Sequence, residues 1–208
     1  NQLYTYIDAR AENPGTRADE AFYQAFFGNH PYGKTSVGTK TSLSRLTQAD
    51  LHDFVSTHFT RVGMFISAVG DLQPKEVGQW MDQYFVDLPL TRPDITPVEE
   101  FTAKGKTQEK HIAMDIPQST VIFALPGVKR DDPDFYAALV LNYILGGGSF
   151  TSRLVDEVRE KRGLAYAVGT SLEIFHHAGV LKGYVATKNE KVADALQVIH
   201  EVLQIGRA

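Results

Sequence analysis

Arg159 and Tyr166 stand seven residues apart across a corner at Gly163, and both side chains carry donors suited to a peptide carbonyl. Arginine offers a planar fork of N–H groups and tyrosine a hydroxyl, and the same groups can meet an oxyanion that forms on attack at that carbonyl. Upstream runs Gly146-Gly147-Gly148-Ser149-Phe150-Thr151-Ser152-Arg153-Leu154. Three glycines permit close backbone approach, so this loop can lie against another chain or domain, or over the mouth of a chamber. It is no phosphate cradle, because a P-loop would end in Gly-Lys-Ser/Thr. The Ser/Thr residues after it predict a helix N-cap, and Leu154, Val155 and Val158 give the next turns an apolar face. Gly163 ends that helix, and Ala165-Tyr166-Ala167-Val168 restarts as an extended segment. Arg153, Lys161 and Arg162 read as a solvated basic face.

Hydrolytic zinc requires three protein ligands and an open water position. The seven histidines are His30, His52, His58, His111, His176, His177 and His200, and none pairs as His-x-x-Glu-His or His-Glu-x-x-His. His200-Glu201 is followed by Val-Leu-Gln-Ile-Gly and fails at the second ligand. His30, in His-Pro-Tyr-Gly, reads as part of a turn, and His176-His177 as an exposed hairpin end. No metal ligand and no catalytic residue is assigned to this chain. It has no cysteine, which removes disulfides, thiolate nucleophiles and Cys-type zinc sites.

The elements that must position Arg159 and Tyr166 follow from pattern. Helices are expected over Leu3–Ala11 and Arg17–Phe27, broken at Asn13-Pro14-Gly15, then from Thr47 with Leu51, Phe54 and Val55 on its apolar face. Met64–Val69 reads as a strand, and Pro74–Phe85 as a helix in which Trp80 packs into a core with Val77 and Tyr84. Strands are expected over Lys110–Ile116, Thr120–Leu125, Tyr166–Ile174 and Val180–Thr187, with helices over Pro133–Leu145 and Asn189–Ile205. In the last helix Val192, Leu196, Ile199 and Leu203 share one face. Pro89, Pro93 and Pro97 mark a linker over 89–105.

At 208 residues, 43% hydrophobic and 22% charged, the chain can bury a core and form one or two domains. A net charge of −4 argues against a nucleic-acid partner. No stretch reaches the ~18 apolar residues of a membrane span. The sequence opens on Asn1 and reads as a piece of something longer.

The run from Gly146 through Ser152-Arg153-Leu154 to Arg159-Glu160-Lys161-Arg162-Gly163-Leu164-Ala165-Tyr166 resembles the pitrilysin/insulinase family of zinc metallopeptidases, which includes mitochondrial processing peptidase. The resemblance covers nearly the whole chain. It implies an α+β fold, an antiparallel sheet with helices packed on it, in a peptidase-type domain that is duplicated. On this reading 1–88 are the C-terminal part of a first domain, 89–105 the linker, and 106–208 the front of a second, inactive domain. It also implies that Arg159 and Tyr166 hold a peptide substrate against zinc carried by another domain. The family's third zinc ligand, a glutamate, should fall on the first helix, yet Tyr4–Ala11 contains none and Glu12 lies too late. The chain is therefore expected to be inactive alone, with no cofactor of its own. Its expected partner is a zinc-bearing homologous domain or subunit, in the periplasm, or otherwise in the cytoplasm. The alternatives are a non-enzymatic assembly subunit that kept the fold, or a piece of a complete zinc peptidase.

Overall fold

The computed structural model describes residues 2–91, 96–103 and 108–205. They divide into two compact units, one over 1–38 and 98–208, the other over 39–97. The first unit thus unites residues from both sides of the proline-spaced segment, part of which (92–95 and 104–107) lies outside the described residues.

That first unit is mixed helix and sheet, as expected. Helix α1 (Gln2–Glu12) meets α2 (Pro14–Phe27) at Asn13, whose side chain accepts from the Thr16 N–H at 2.9 Å while Pro14 takes the first helical position. The sheet contains β1 (Gln118–Pro126), β2 (Ala167–Ile174) and β3 (Gly179–Lys188), all antiparallel, in the order β1-β3-β2. Register sets the two faces, because side chains alternate along a strand. Val121, Val185 and Val168 stand opposite one another on one face. There they pack with Leu154, Val158 and the buried side of α7 (Val192–Ile205), namely Ala195, Val198, Ile199 and Val202. The buried side of α7 is broader than the stripe expected from sequence, since it adds Ala195, Val198 and Val202.

The opposite face carries Ala124, Val180, Lys182 and Glu173, and α2 lies on it. Phe27 is buried there among Phe22, Phe26, Phe101 and Phe175, with its ring centroid 4.7 Å from that of Phe101. Beside this aromatic cluster runs a chain of polar contacts. Lys182 Nζ is 2.6 Å from Asp19 Oδ1 and 3.2 Å from Glu173 Oε1, and the Tyr23 hydroxyl donates to Glu173 Oε2 at 2.7 Å. Burial works against the charge on Lys182, but its bond to Asp19 and the nearby Glu173 outweigh that and raise its pKa. Burial, with Glu173, pushes the Tyr23 phenol up. None of this network was visible in sequence, since α2 and the β2–β3 hairpin lie some 150 residues apart.

Two expected strands are missing. Met64–Val69 has no ladder partner among the described residues, and Phe65 is 98% exposed. Over Lys110–Ile116, Ile112, Met114 and Ile116 alternate inward, but no ladder bonds join them to the sheet. Period-2 pattern makes a strand only where a neighbour supplies hydrogen bonds.

Within 39–97, α3 (Lys40–Leu43) and α4 (Gln48–His58) begin at capping boxes on Thr39 and Thr47. Bonds from the Thr47 hydroxyl and backbone hold the Asp50 carboxyl below its usual range. Helix α5 (Pro74–Tyr84) starts at its proline as expected. Trp80, however, is 42% exposed, so it is not the core residue its spacing suggested.

Candidate functional site

The helix that carries Arg159 is anchored from its first turn. Leu154 and Val158 are fully buried and Val155 nearly so, which turns Arg159 away from the core. Its backbone is wider than an α-helix: over Val155–Glu160 it bonds at five-residue spacing, with the Lys161 N–H donating to Asp156 O at 2.9 Å. Wide turns of this kind are rare and recur at functional sites. Ser152 precedes the helix, but its hydroxyl turns back to Ser149 O at 2.9 Å and does not cap as expected.

At the far end Gly163 adopts a positive φ of 58°, and its N–H closes on Arg159 O at 2.9 Å. Lys191 Nζ donates to Gly163 O at 2.9 Å, and the buried Thr187 hydroxyl donates to Leu164 O. Tyr166 then joins the sheet, its N–H donating to Ala186 O at 2.8 Å.

The glycine loop lies against β2. It forms a second wide turn, Tyr143–Gly147, after α6 (Phe135–Asn142). Gly146 is buried, and a Cβ there would sit 2.6 Å from both the Thr170 amide nitrogen and its Oγ1. No side chain fits that gap. Ser149, next along, has a φ of 55°, the one positive value at a non-glycine among the described residues. Such a conformation is strained for serine and clusters at ligand sites.

Between this loop, the helix and the outer edge of β2 is a cavity of about 320 Å³, onto which Arg159, Phe150 and Tyr184 open. Arg159 Cζ is 5.5 Å from the centre of the Phe150 ring, and Nε stands 3.5 Å from Glu160 Oε1. Among the described residues its Nη nitrogens have no hydrogen-bond partner. Tyr166 is 51% exposed and does not line the cavity, and no hydrogen bond joins it to Arg159. Of the expected site residues, Gly146, Gly147, Ser149 and Arg159 therefore meet at one cavity. Gly148 packs on Tyr143 in the loop behind them. Thr170 also lines this cavity, though its hydroxyl oxygen is buried against the Gly146 backbone and has no hydrogen-bond partner among the described residues. Sequence gave no signal for it, because its environment comes from a loop over twenty residues upstream.

The basic face of Arg153, Lys161 and Arg162 is exposed, as expected, and two of its cations pair along the helix. Lys161 Nζ is 2.7 Å from both Glu157 Oε1 and Asp156 Oδ2, and Arg162 pairs with the same Glu157 carboxylate. The bond from Arg162, then that from Lys161, lowers the Glu157 pKa from 4.5 to about 2. Because the folded pKa is depressed, these contacts favour the helix above pH 4.5 and lose that effect as pH falls toward about 2. A titration of the Glu157 side-chain carbon by NMR should show its midpoint near 2; a midpoint near 4.5 would contradict the pairing.

Two of the histidines, His30 and His177, make contacts that hold loops together. His30 Nδ1 accepts from the Tyr32 N–H at 3.3 Å while Nε2 donates to Glu99 O at 3.0 Å, which fits the expected turn. His177 stands 3.3 Å from Glu100. Among the described residues no three His, Asp or Glu side chains gather closely enough to hold a metal ion, so the donors present do not fit a zinc site.

Three comparisons bear on this arrangement. Residues 45–204 match the family model described as the peptidase M16 inactive domain. A Mycobacterium leprae protein described as an uncharacterized zinc protease is 32% identical over 95% of this chain and 44% of its own length. A Bacillus subtilis zinc protease is 26% identical over 98% of this chain and 48% of its own. The chain thus spans about half the length of the curated relatives it matches. Among solved structures, a peptidase M16 inactive domain from Pseudomonas fluorescens superposes with a TM-score of 0.87 at 32% identity, over 98% of this chain and 49% of that one. A respiratory complex III from Candida albicans shares the fold at a TM-score of 0.78 and 16% identity, over 97% of this chain and 49% of that one.

Proposed function

The chain belongs to the peptidase M16 inactive-domain family, and from that premise we propose that it is the non-catalytic, substrate-binding part of a two-part zinc metalloendopeptidase. A homologous domain or subunit brings zinc and general base. This chain brings Arg159 and Tyr166 to the main chain of the peptide. The observation that carries the proposal is Arg159 itself, a half-exposed guanidinium with free Nη donors at a cavity on a strand edge.

Strand order supports peptide capture by main-chain pairing, because among the described residues β1 and β2 are both edges and β3 lies between them. Gly146 covers the β2 edge at Gly169 and Thr170, and Ala167 and Val168 line the cavity with Arg159. The substrate class is an extended or unfolded peptide with little sequence preference along its backbone. We place residues 1–88 and 106–208 in successive copies of one duplicated domain, and the protein in the periplasm.

A second reading, an assembly subunit that kept the fold, draws support from α6. That helix is apolar around its circumference and exposes Tyr136, Leu139, Val140 and Leu141. Large exposed apolar patches mark interaction surfaces. One experiment separates the two readings. Alone, the chain should carry far less than one zinc per molecule by elemental analysis and cleave no unfolded peptide. Mixed with its zinc-bearing partner, it should restore chelator-sensitive cleavage. A stable complex formed with a partner that cleaves equally well when this chain is left out would favour the assembly role.

A further inference from the structure

We propose that the groove along the free edge of β1 is a second peptide site, which takes the C-terminal end of an extended, apolar peptide and meets its carboxylate with Arg17. This site lies on the edge opposite β2 and does not depend on the reading of Arg159.

The groove has a volume of about 430 Å³ and runs along Gln118–Ile122, the first half of β1. Helix α2 lines it with Ala18, Ala21, Phe22 and Ala25, and α7 lines it with Val192 and Leu196. These two helices cover opposite faces of the sheet, so a groove lined by both lies at the edge of the strand. The other edge of β1 is taken by β3. Every second residue of β1 therefore turns its N–H and C=O toward the groove. Among the described residues no main-chain partner meets those groups. The third wall is 108–116, with Ile112, Met114 and Ile116 directed inward. It is tied down near its ends, where Asn189 Nδ2 donates to Ile116 O at 2.8 Å and Lys110 Nζ donates to Gln24 Oε1 at 3.3 Å.

An extended segment laid in this groove continues the sheet. Its alternate side chains meet α2 on one face and α7 on the other, so both sets must be apolar. Charge decides which end of the peptide lies there. Arg17 lines the groove, is only partly exposed, and has no hydrogen-bond or ion-pair partner among the described residues. Its acidic neighbours on α2 are already engaged. Asp19 Oδ1 is 2.6 Å from Lys182 Nζ, and Glu20 accepts from Arg10 Nε at 3.2 Å and Nη2 at 2.9 Å. Glu109, also along the groove, is exposed and pairs with His111 at 2.9 Å. A free guanidinium in an apolar groove suits a carboxylate, which it can bind through two parallel bonds. The modest volume suits the last few residues of a peptide better than a long strand.

The test titrates peptides into the protein and follows amide NMR shifts at Ser119–Ile122. Acetyl-Lys-Val-Ile-Val with a free C-terminal carboxylate should bind about tenfold more tightly than its C-terminal amide, and about tenfold more tightly than acetyl-Lys-Val-Ser-Val. Arg17→Gln should remove the preference for the free acid while the amide binds as before. Bound peptide should also slow amide exchange in 118–122, because main-chain pairing protects those N–H groups. Equal affinity for acid and amide overturns the proposal, and so does the absence of any binding. Octanoate bound as tightly as the free-acid peptide, with exchange unchanged, would mean a carboxylate pocket without strand pairing and would also overturn it. Shifts confined to Ala167–Thr170 would place the peptide on the β2 edge, which refutes this site and leaves the reading of Arg159 standing. Should Arg17→Gln not fold, the acid-to-amide ratio on the unaltered protein decides.

Discussion

With the zinc-bearing partner present, Arg159→Ala is expected to lower kcat/KM for an unfolded peptide by about 10²–10³. Loss of one donor to a developing oxyanion commonly costs ~2.7–4 kcal/mol. Arg159 fits this role because its Nη donors are free, its charge is shared only loosely with Glu160 at 3.5 Å, and its helix is pinned by Leu154 and Val158. Tyr166→Phe removes a single hydroxyl from a half-exposed ring and should act in the same direction. The kinetic pattern identifies the contact. A fall in kcat with KM unchanged assigns Arg159 to the transition state, whereas a rise in KM alone assigns it to the ground-state peptide. Both variants must melt near the parent temperature, which their exposed positions favour. Full activity in both would remove these residues from substrate handling and leave the assembly role of α6 as the better reading.

What could be read in the sequence was what local chemistry decides. Asn13-Pro14 stops one helix and starts the next, Thr47 and Asp50 box a helix start, and Gly163 turns the corner before Tyr166. The three strands of the sheet were legible because each alternates or carries β-branched residues and finds a partner. Met64–Val69 carries the same pattern and forms no ladder, so composition alone could not tell the two cases apart. Trp80 shows the same limit for helices, since its spacing names a face but not what covers it.

The site was half legible. Arg159 and the glycines stood out by type and spacing, and the loop does lie on a strand, though it is a strand of the same chain. Thr170 and the Lys182–Asp19–Glu173 group depend on contacts between distant segments, which no window of sequence contains. The five-residue bonding over Val155–Glu160 was equally hidden, because its side-chain pattern matches that of an α-helix.

Leu154→Ala should be the most damaging single truncation in the unit that carries Arg159, costing about 3–5 kcal/mol. The side chain is 0% exposed and sits at the start of the helix, amid Val158, Val185, Ala195 and Ile199. Close packing on every side leaves little room for collapse, so the cavity term adds to the lost transfer energy. Against a typical domain stability of about 5–15 kcal/mol, this is a large share. Leu141→Ala, on the exposed face of α6, provides the control and should change stability by no more than about 0.5 kcal/mol. The choice of probe matters. The single tryptophan, Trp80, lies in the 39–97 unit and does not report on this core. Amide exchange in β3 and α7 does, and Leu154→Ala should lower protection there by about the full 3–5 kcal/mol wherever exchange needs global opening of that core. Unchanged protection in both elements would mean that Leu154 does not hold the helix to the sheet, and the rigid placement argued for Arg159 would lose its basis.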